Sequence, residues 1–214
     1  MTPATRNKSA AELLGVVLKP KNARDRLLLT AIDLCYTRGF NATGLDQIIA
    51  ATGVTKTTFY KHFESKDDLL IQAIRMRDQC ERKAWARAVR RVAGPDPRAQ
   101  LLAMFDVLDD WFNSPEFNGC LFINAAAEFP NPADPVHQAA AEHKRATRDW
   151  FRDLAKKAGA VEPDVFADQY CAVFEGVLIM RQTHGRDDAA RLMRPMIEKL
   201  VAEHLPATHA TAAA

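Results

Sequence analysis

The stretch Thr43-Gly44-Leu45-Asp46-Gln47-Ile48-Ile49-Ala50-Ala51-Thr52-Gly53-Val54-Thr55-Lys56-Thr57-Thr58-Phe59-Tyr60-Lys61-His62-Phe63 decides the fold. Thr43 with Asp46 three residues on resembles a capping box, with Asp in place of the usual Glu, and predicts a helix over 43–52 that buries Leu45, Ile48 and Ile49. Gly53-Val54 stops that helix, and Thr55 caps a second short one over 55–63, in which Phe59 and Phe63 share one face at i, i+4. Two short helices joined by a tight glycine turn read as a helix-turn-helix.

On either side the punctuation continues. Leu27, Leu28, Ala31, Ile32, Leu34 and Cys35 form a helical stripe over 23–38, stopped by Gly39 and plugged by Phe40. Ser65 caps a fourth helix, with Asp67 and Asp68 in its first turn, where the helix dipole favours acids. Beyond it, helical stretches are expected near 69–92, 98–113, 118–128, 134–158, 164–184 and 187–204, separated by Gly94-Pro95-Asp96-Pro97, Ser114-Pro115, Pro130-Asn131-Pro132, Gly159 with Pro163, and Gly185. No strand alternation of useful length and no internal repeat interrupts them. The expected fold class is all-α. Its expected organisation is a mobile arm over 1–22, a helix-turn-helix domain over 23–70, a larger helical domain over 71–205 and a disordered tail over 206–214.

Composition bounds the function. The chain has 214 residues, 48% hydrophobic and 26% charged, ordinary for a globular protein, and has no apolar run of the roughly 18 residues a membrane span needs. Cys35, Cys80, Cys120 and Cys171 form no CxxC pair, so a zinc ribbon and a thioredoxin-like motif are absent. With no secretory signal read at the N-terminus, the cytoplasm and free thiols are expected, with no cofactor, metal or membrane partner. The net charge of +2 hides an asymmetry: residues 1–80 carry 12 basic and 8 acidic side chains, and residues 81–214 carry 17 and 19. A basic N-terminal part joined to a slightly acidic remainder points to two tasks.

The second short helix of a helix-turn-helix inserts into the major groove, with its N-terminal residues facing base edges. Here Lys56 and Lys61 can neutralise phosphates, and Thr55, Thr57 and Thr58 can donate to phosphate or touch a thymine methyl. Tyr60 and His62 can reach backbone or base, and Arg6, Lys8, Lys19 and Lys21 supply the arm with cations for a minor groove.

The run Gly39-Phe40, Thr43, Ile48-Ile49-Ala50, Gly53-Val54-Thr55-Lys56, Phe59-Tyr60-Lys61-His62-Phe63 and Ser65-Lys66-Asp67-Asp68-Leu69 resembles the signature of the tetracycline-repressor (TetR) family. Gly44 and Thr58 depart from it, standing where small polar residues and glycine or alanine are common. The resemblance implies a homodimer that reads double-stranded palindromic operator DNA, usually a repressor released by a small molecule. It implies phosphate contacts for Thr43 and Lys66, and a recognition surface of Lys56, Thr57, Thr58, Tyr60 and His62. Thr43 reads equally as a plain cap.

The family places an effector cavity between the C-terminal helices. Phe105, Trp111, Phe112, Trp150 and Phe174 are candidate apolar lining, with core packing the alternative, and Cys120, Asn124, Glu128, His137 and Tyr170 are candidate anchors. For Glu128 and His137 the alternative is surface solvation. A dimer seam is expected on the last two helices, from Phe166, Phe174, Val177, Leu178 and Arg181 on one and Leu192, Met196 and Leu200 on the other. Two other readings stay open: a thiol- or metal-responsive regulator sensing through Cys120, whose helix-start position would lower its pKa if exposed, and an enzyme using Cys120, His137 and Glu128.

Overall fold

The computed structural model describes residues 19–205, so the expectations for most of the arm and for the tail lie outside the described residues. Within them the fold is all-α: nine helices and no strand. They are α1 (Ala23–Arg38), α2 (Leu45–Thr52), α3 (Lys56–Tyr60), α4 (Lys66–Ala93), α5 (Pro97–Phe112), α6 (Leu121–Glu128), α7 (Pro135–Lys157), α8 (Pro163–His184) and α9 (Ala189–His204).

The caps follow local chemistry. Asn22 Oδ1 accepts from Asp25 N at 2.8 Å to open α1, and Gly39, at φ 92, closes it with its N–H on Cys35 O at 2.9 Å. Ser65 Oγ accepts from Asp68 N at 3.1 Å, while Asp68 Oδ2 accepts from Glu64 N at 3.1 Å. Asp96 opens α5 by accepting from Arg98 N at 3.0 Å, with Pro97 at the first helical position, where a missing N–H costs nothing.

Packing groups the helices into two compact units. The first holds 19–84 with Glu116–Ala146, so α6 and the first turns of α7 belong with the helix-turn-helix rather than with the later helices. Its core runs from Leu27, Leu28 and Ile32 through Phe40, Ile48, Phe59 and Phe63 to Leu121, Phe122 and Val136. Phe40 is the expected plug, 1% exposed and edge-on to Phe129.

The second unit holds Trp85–Pro115 and 147–205. Phe105, Phe112, Phe151, Phe166 and Tyr170 are each 1% exposed or less. Burying one such ring stabilises by about 1.5–3 kcal/mol relative to exposure. The Tyr170 hydroxyl, the buried polar end of this cluster, donates to Leu101 O at 2.7 Å. Arg191 and Arg194 fasten α9 to Asp109 and Asp106 of α5.

Candidate nucleic-acid interface

The helix-turn-helix is α2, a turn, and α3. Gly53 takes the left-handed conformation at φ 68, which a side chain would strain, and its N–H closes α2 on Ile49 O and Ala50 O. Thr55 Oγ1 caps α3 by accepting from Thr58 N at 3.1 Å, as its position predicts. Phe59 and Phe63 are 0% and 2% exposed, with ring centroids 5.7 Å apart, so they root the reading element in the core. The helix itself ends at Tyr60, short of the expected Phe63, because Lys61, His62 and Phe63 continue as tight turns onto Thr57 O and Phe59 O.

This leaves Thr55, Lys56, Thr57, Tyr60, Lys61 and His62 exposed together, with Thr58 half-buried. Tyr60 is 56% exposed, a large aromatic left in water one residue from a buried phenylalanine. Lys56 pairs with Asp46 of α2, Nζ to Oδ1 at 3.1 Å.

One expected phosphate contact, that of Thr43, is corrected, and Lys66 gains a contact inside the chain. Thr43 is 0% exposed, and its hydroxyl donates to Gly39 O at 2.7 Å, closing the α1–α2 turn from inside. It does not cap α2 either: Gly44 is the N-cap, and Gln47 Oε1 reaches back to Gly44 N at 3.0 Å. Only the glutamine half of a capping box is made, one residue later than expected, because glycine has no side chain to return the bond. Lys66 is half-buried and its ammonium donates to Phe40 O at 3.0 Å.

Other residues hold this reading head in place, and their pattern was not read in the sequence. Glu128, at the end of α6, accepts from Phe40 N through Oε1 at 2.8 Å and from Asn41 N through Oε2 at 2.7 Å. Its carboxylate lies where a Cβ on Gly39 would meet Oε1 at 3.0 Å. At the other end of the same segment, the Tyr36 hydroxyl accepts from Asn118 N at 2.8 Å and donates to Gly119 O at 3.1 Å, and the Asn118 amide donates to Tyr36 O. Burial pushes the Tyr36 phenol up to about 12. Arg24 donates to Gln72 Oε1 and lies over the Phe63 ring, joining α1 to α4.

The C-terminal candidates do not converge. Glu128 has both oxygens in the clamp just described. His137 Nδ1 lies 2.7 Å from Phe129 O, and Cys120 Sγ takes a contact from Lys144 Nζ at 3.5 Å. Cys120, Glu128 and His137 are therefore each engaged with other groups. Cys120 does start α6, but it is 4% exposed, not the open helix-start thiol a sensor would use. Asn124 is half-buried on α6. Among the described residues no group of three or more His, Cys, Asp and Glu could hold a metal ion.

Phe105, Phe112, Tyr170 and Phe174 are core of the second unit. Trp111 sits edge-on to Trp85 at 5.5 Å, and half-buried Trp150 lies 5.2 Å from Phe151.

The expected seam residues also divide. Phe166, Phe174, Val177 and Leu178 are 0–7% exposed, turned into the chain's own core by Phe105, Phe151 and Tyr170, and Arg181 donates to Phe112 O at 3.0 Å. Leu192 and Met196 are 49% and 52% exposed, and Leu200 is half-buried. The outer face of α8 carries Ala172, Val173, Gly176, Ile179 and Met180. An apolar groove of about 260 Å³ runs along it, lined by Ala172, Val173, Gly176, Val177, Met180, Met193 and Met196.

Comparison with known proteins agrees with the reading head and the helical remainder. The family of bacterial regulatory proteins, tetR family, matches residues 27–73, and the tetracyclin repressor-like C-terminal domain matches residues 97–197. The HTH-type transcriptional regulator YjdC of Escherichia coli is 26% identical over 178 residues, 81% of this chain and 93% of YjdC. SCO4454, a TetR-family transcriptional regulator from Streptomyces coelicolor, superposes with a TM-score of 0.76 at 30% identity, over 85% of this chain and 95% of that one. The reduced form of Escherichia coli NemR superposes with a TM-score of 0.75 at 18% identity, over 83% and 95%, a likeness of fold. The chain belongs to the TetR family of helix-turn-helix, DNA-binding transcriptional regulators. Among the described residues, no helix is long and apolar enough to cross a membrane.

Proposed function

We propose that the chain is a homodimeric repressor of a palindromic operator, acting in the cytoplasm on chromosomal DNA and released by a small-molecule effector bound among its C-terminal helices. The observation that carries the DNA-facing part is the exposed cluster of Thr55, Lys56, Thr57, Tyr60, Lys61 and His62 on a helix rooted by Phe59 and Phe63. Such a surface offers phosphate and base-edge contacts from a rigid support. One short helix has too little contact area for specific binding, so a second copy is needed. The exposed apolar strip of α8 and α9 supports that second copy, since water-facing Ile179, Leu192 and Met196 are removed from solvent when two such faces meet.

The effector part rests on the family and on the second compact helical unit. Phe105, Phe112, Tyr170 and Phe174 belong to that unit's packing, so the effector is expected to contact half-buried groups of the same unit such as Trp150 rather than these rings.

The test is a gel shift with the DNA flanking the protein's own gene, across a salt series. The wild type is expected to protect a palindrome and to lose affinity steeply with salt. Tyr60→Ala and Lys61→Ala are expected to weaken binding by tenfold or more while leaving the sedimentation coefficient unchanged. Full-strength specific binding by both variants would overturn the docking surface.

A further inference from the structure

The ion pair between Lys56 and Asp46 has no evident part in the fold. The two side chains are 60% and 84% exposed, in the range where ion pairs contribute little to stability. Yet the pair spans the two helices of the reading motif: Lys56 is the first residue of α3 and Asp46 lies in the first turn of α2. The hydrogen bond to Asp46, and then its charge, raise the Lys56 pKa. Of the three lysines that the sequence offers to DNA here, Lys66 is committed to Phe40 O and Lys56 to Asp46. Among the described residues, Lys61 forms no ion pair.

Non-specific binding to duplex DNA is driven by cations that neutralise phosphates and release counterions. A Lys–Asp pair is neutral as a unit and releases none. For Lys56 to reach a phosphate it must exchange one anion for another and leave Asp46 unpaired in the negative field of the duplex. That exchange gains little on arbitrary sequence. It becomes favourable where a second acceptor is added, as at the adjacent O6 and N7 of a guanine in the major groove.

We propose that Asp46 is a specificity-setting residue of the DNA-binding face: it withholds the Lys56 ammonium from the phosphates of arbitrary duplex and yields it only where the base sequence offers a contact that displaces the carboxylate. The inference rests on the docking face described under Proposed function and names a residue that lowers affinity there in order to raise discrimination.

The experiment is fluorescence anisotropy with two labelled duplexes, one of random sequence and one carrying the upstream region of the gene, at a series of salt concentrations. Asp46→Asn frees one cation per protomer, two in a dimer. On random duplex the log–log salt slope is expected to steepen by up to about 1.8, and binding at low salt to tighten by about tenfold. On the upstream duplex the gain is smaller, so the ratio of specific to random affinity falls. Adding Lys56→Met to Asp46→Asn returns the random-duplex slope to the wild-type value. Unchanged affinity for random duplex in Asp46→Asn overturns the proposal, as does an equal gain on both duplexes. A gain that survives Lys56→Met overturns it too, because Asp46 would then act by simple repulsion. Wild-type protein that binds neither duplex overturns the docking face itself. Equal melting temperatures for wild type and Asp46→Asn establish that the comparison is between equally folded chains.

Discussion

Glu128→Ala removes both acceptors that hold the junction between α1 and α2. The two oxygens take separate backbone N–H groups, Phe40 N at 2.8 Å and Asn41 N at 2.7 Å, each a charge-assisted hydrogen bond of a kind that contributes about 1.5–3 kcal/mol. Asn41 is exposed, so water replaces much of what its N–H loses, whereas Phe40 is buried and its N–H is left poorly satisfied. A net destabilisation of about 2–3 kcal/mol is expected. In a chain of this size that lowers Tm by about 4–12 °C. Glu128→Gln keeps one carbonyl acceptor but turns an NH2 toward the other donor, so it is expected to fall between the two. Thermal unfolding followed by circular dichroism measures the shift, and amide hydrogen exchange at Phe40 and Asn41 localises it. A Tm within about 1 °C of wild type with unchanged exchange would refute the clamp. An alanine variant of wild-type stability with an altered response to small molecules would instead return Glu128 to the effector-anchoring role expected from the sequence.

Phe174→Arg, the natural substitution against a dimer seam read from sequence, is expected to unfold the second unit, because Phe174 is 7% exposed and packs on Phe151. Met196→Glu, at 52% exposure, is expected to give a helical monomer by sedimentation, and a dimeric Met196→Glu would count against the seam. Burial pushes the Asp78 carboxyl up, but hydrogen bonds from His143 and Arg82 outweigh it and hold the group at about 2, below its ordinary 3.8. Its charged form is favoured by folding, so its contribution is fully present above about pH 4 and is lost as pH falls from 3.8 toward 2. Tm measured over this window is expected to fall less steeply in Asp78→Asn, and identical slopes would refute the assignment.

The helices and the reading motif were legible in the sequence because their determinants are local. Gly39 and Gly53 stop helices by taking positive φ, Thr55 and Ser65 cap them through their own hydroxyls, and Phe59 and Phe63 share a face by spacing alone. The exposed candidates on α3 follow from the same periodicity, since residues opposite the two phenylalanines must face water.

What lay beyond the sequence needed a partner distant along the chain. Thr43 has the chemistry of a cap and of a phosphate ligand, and only the closing of the α1–α2 turn sends its hydroxyl inward to Gly39 O. Glu128 reads as an effector anchor or a solvated acid until α6 packs beside the end of α1 and two backbone donors meet it. In α8 apolar residues occupy almost every face, so periodicity cannot say which is core. The neighbouring rings Phe105 and Phe151 draw the large side chains Phe166, Tyr170 and Phe174 inward, and the small and flexible ones, Ala172, Gly176 and Met180, are left to line the outer groove. Capping, turn and helical spacing act within a few residues, so the order of amino acids alone dictates an all-α chain with a DNA-reading head. Which faces were buried, which charges were already paired and which apolar surface remained for a partner were decided only by tertiary packing, because each depends on groups that folding alone brings together.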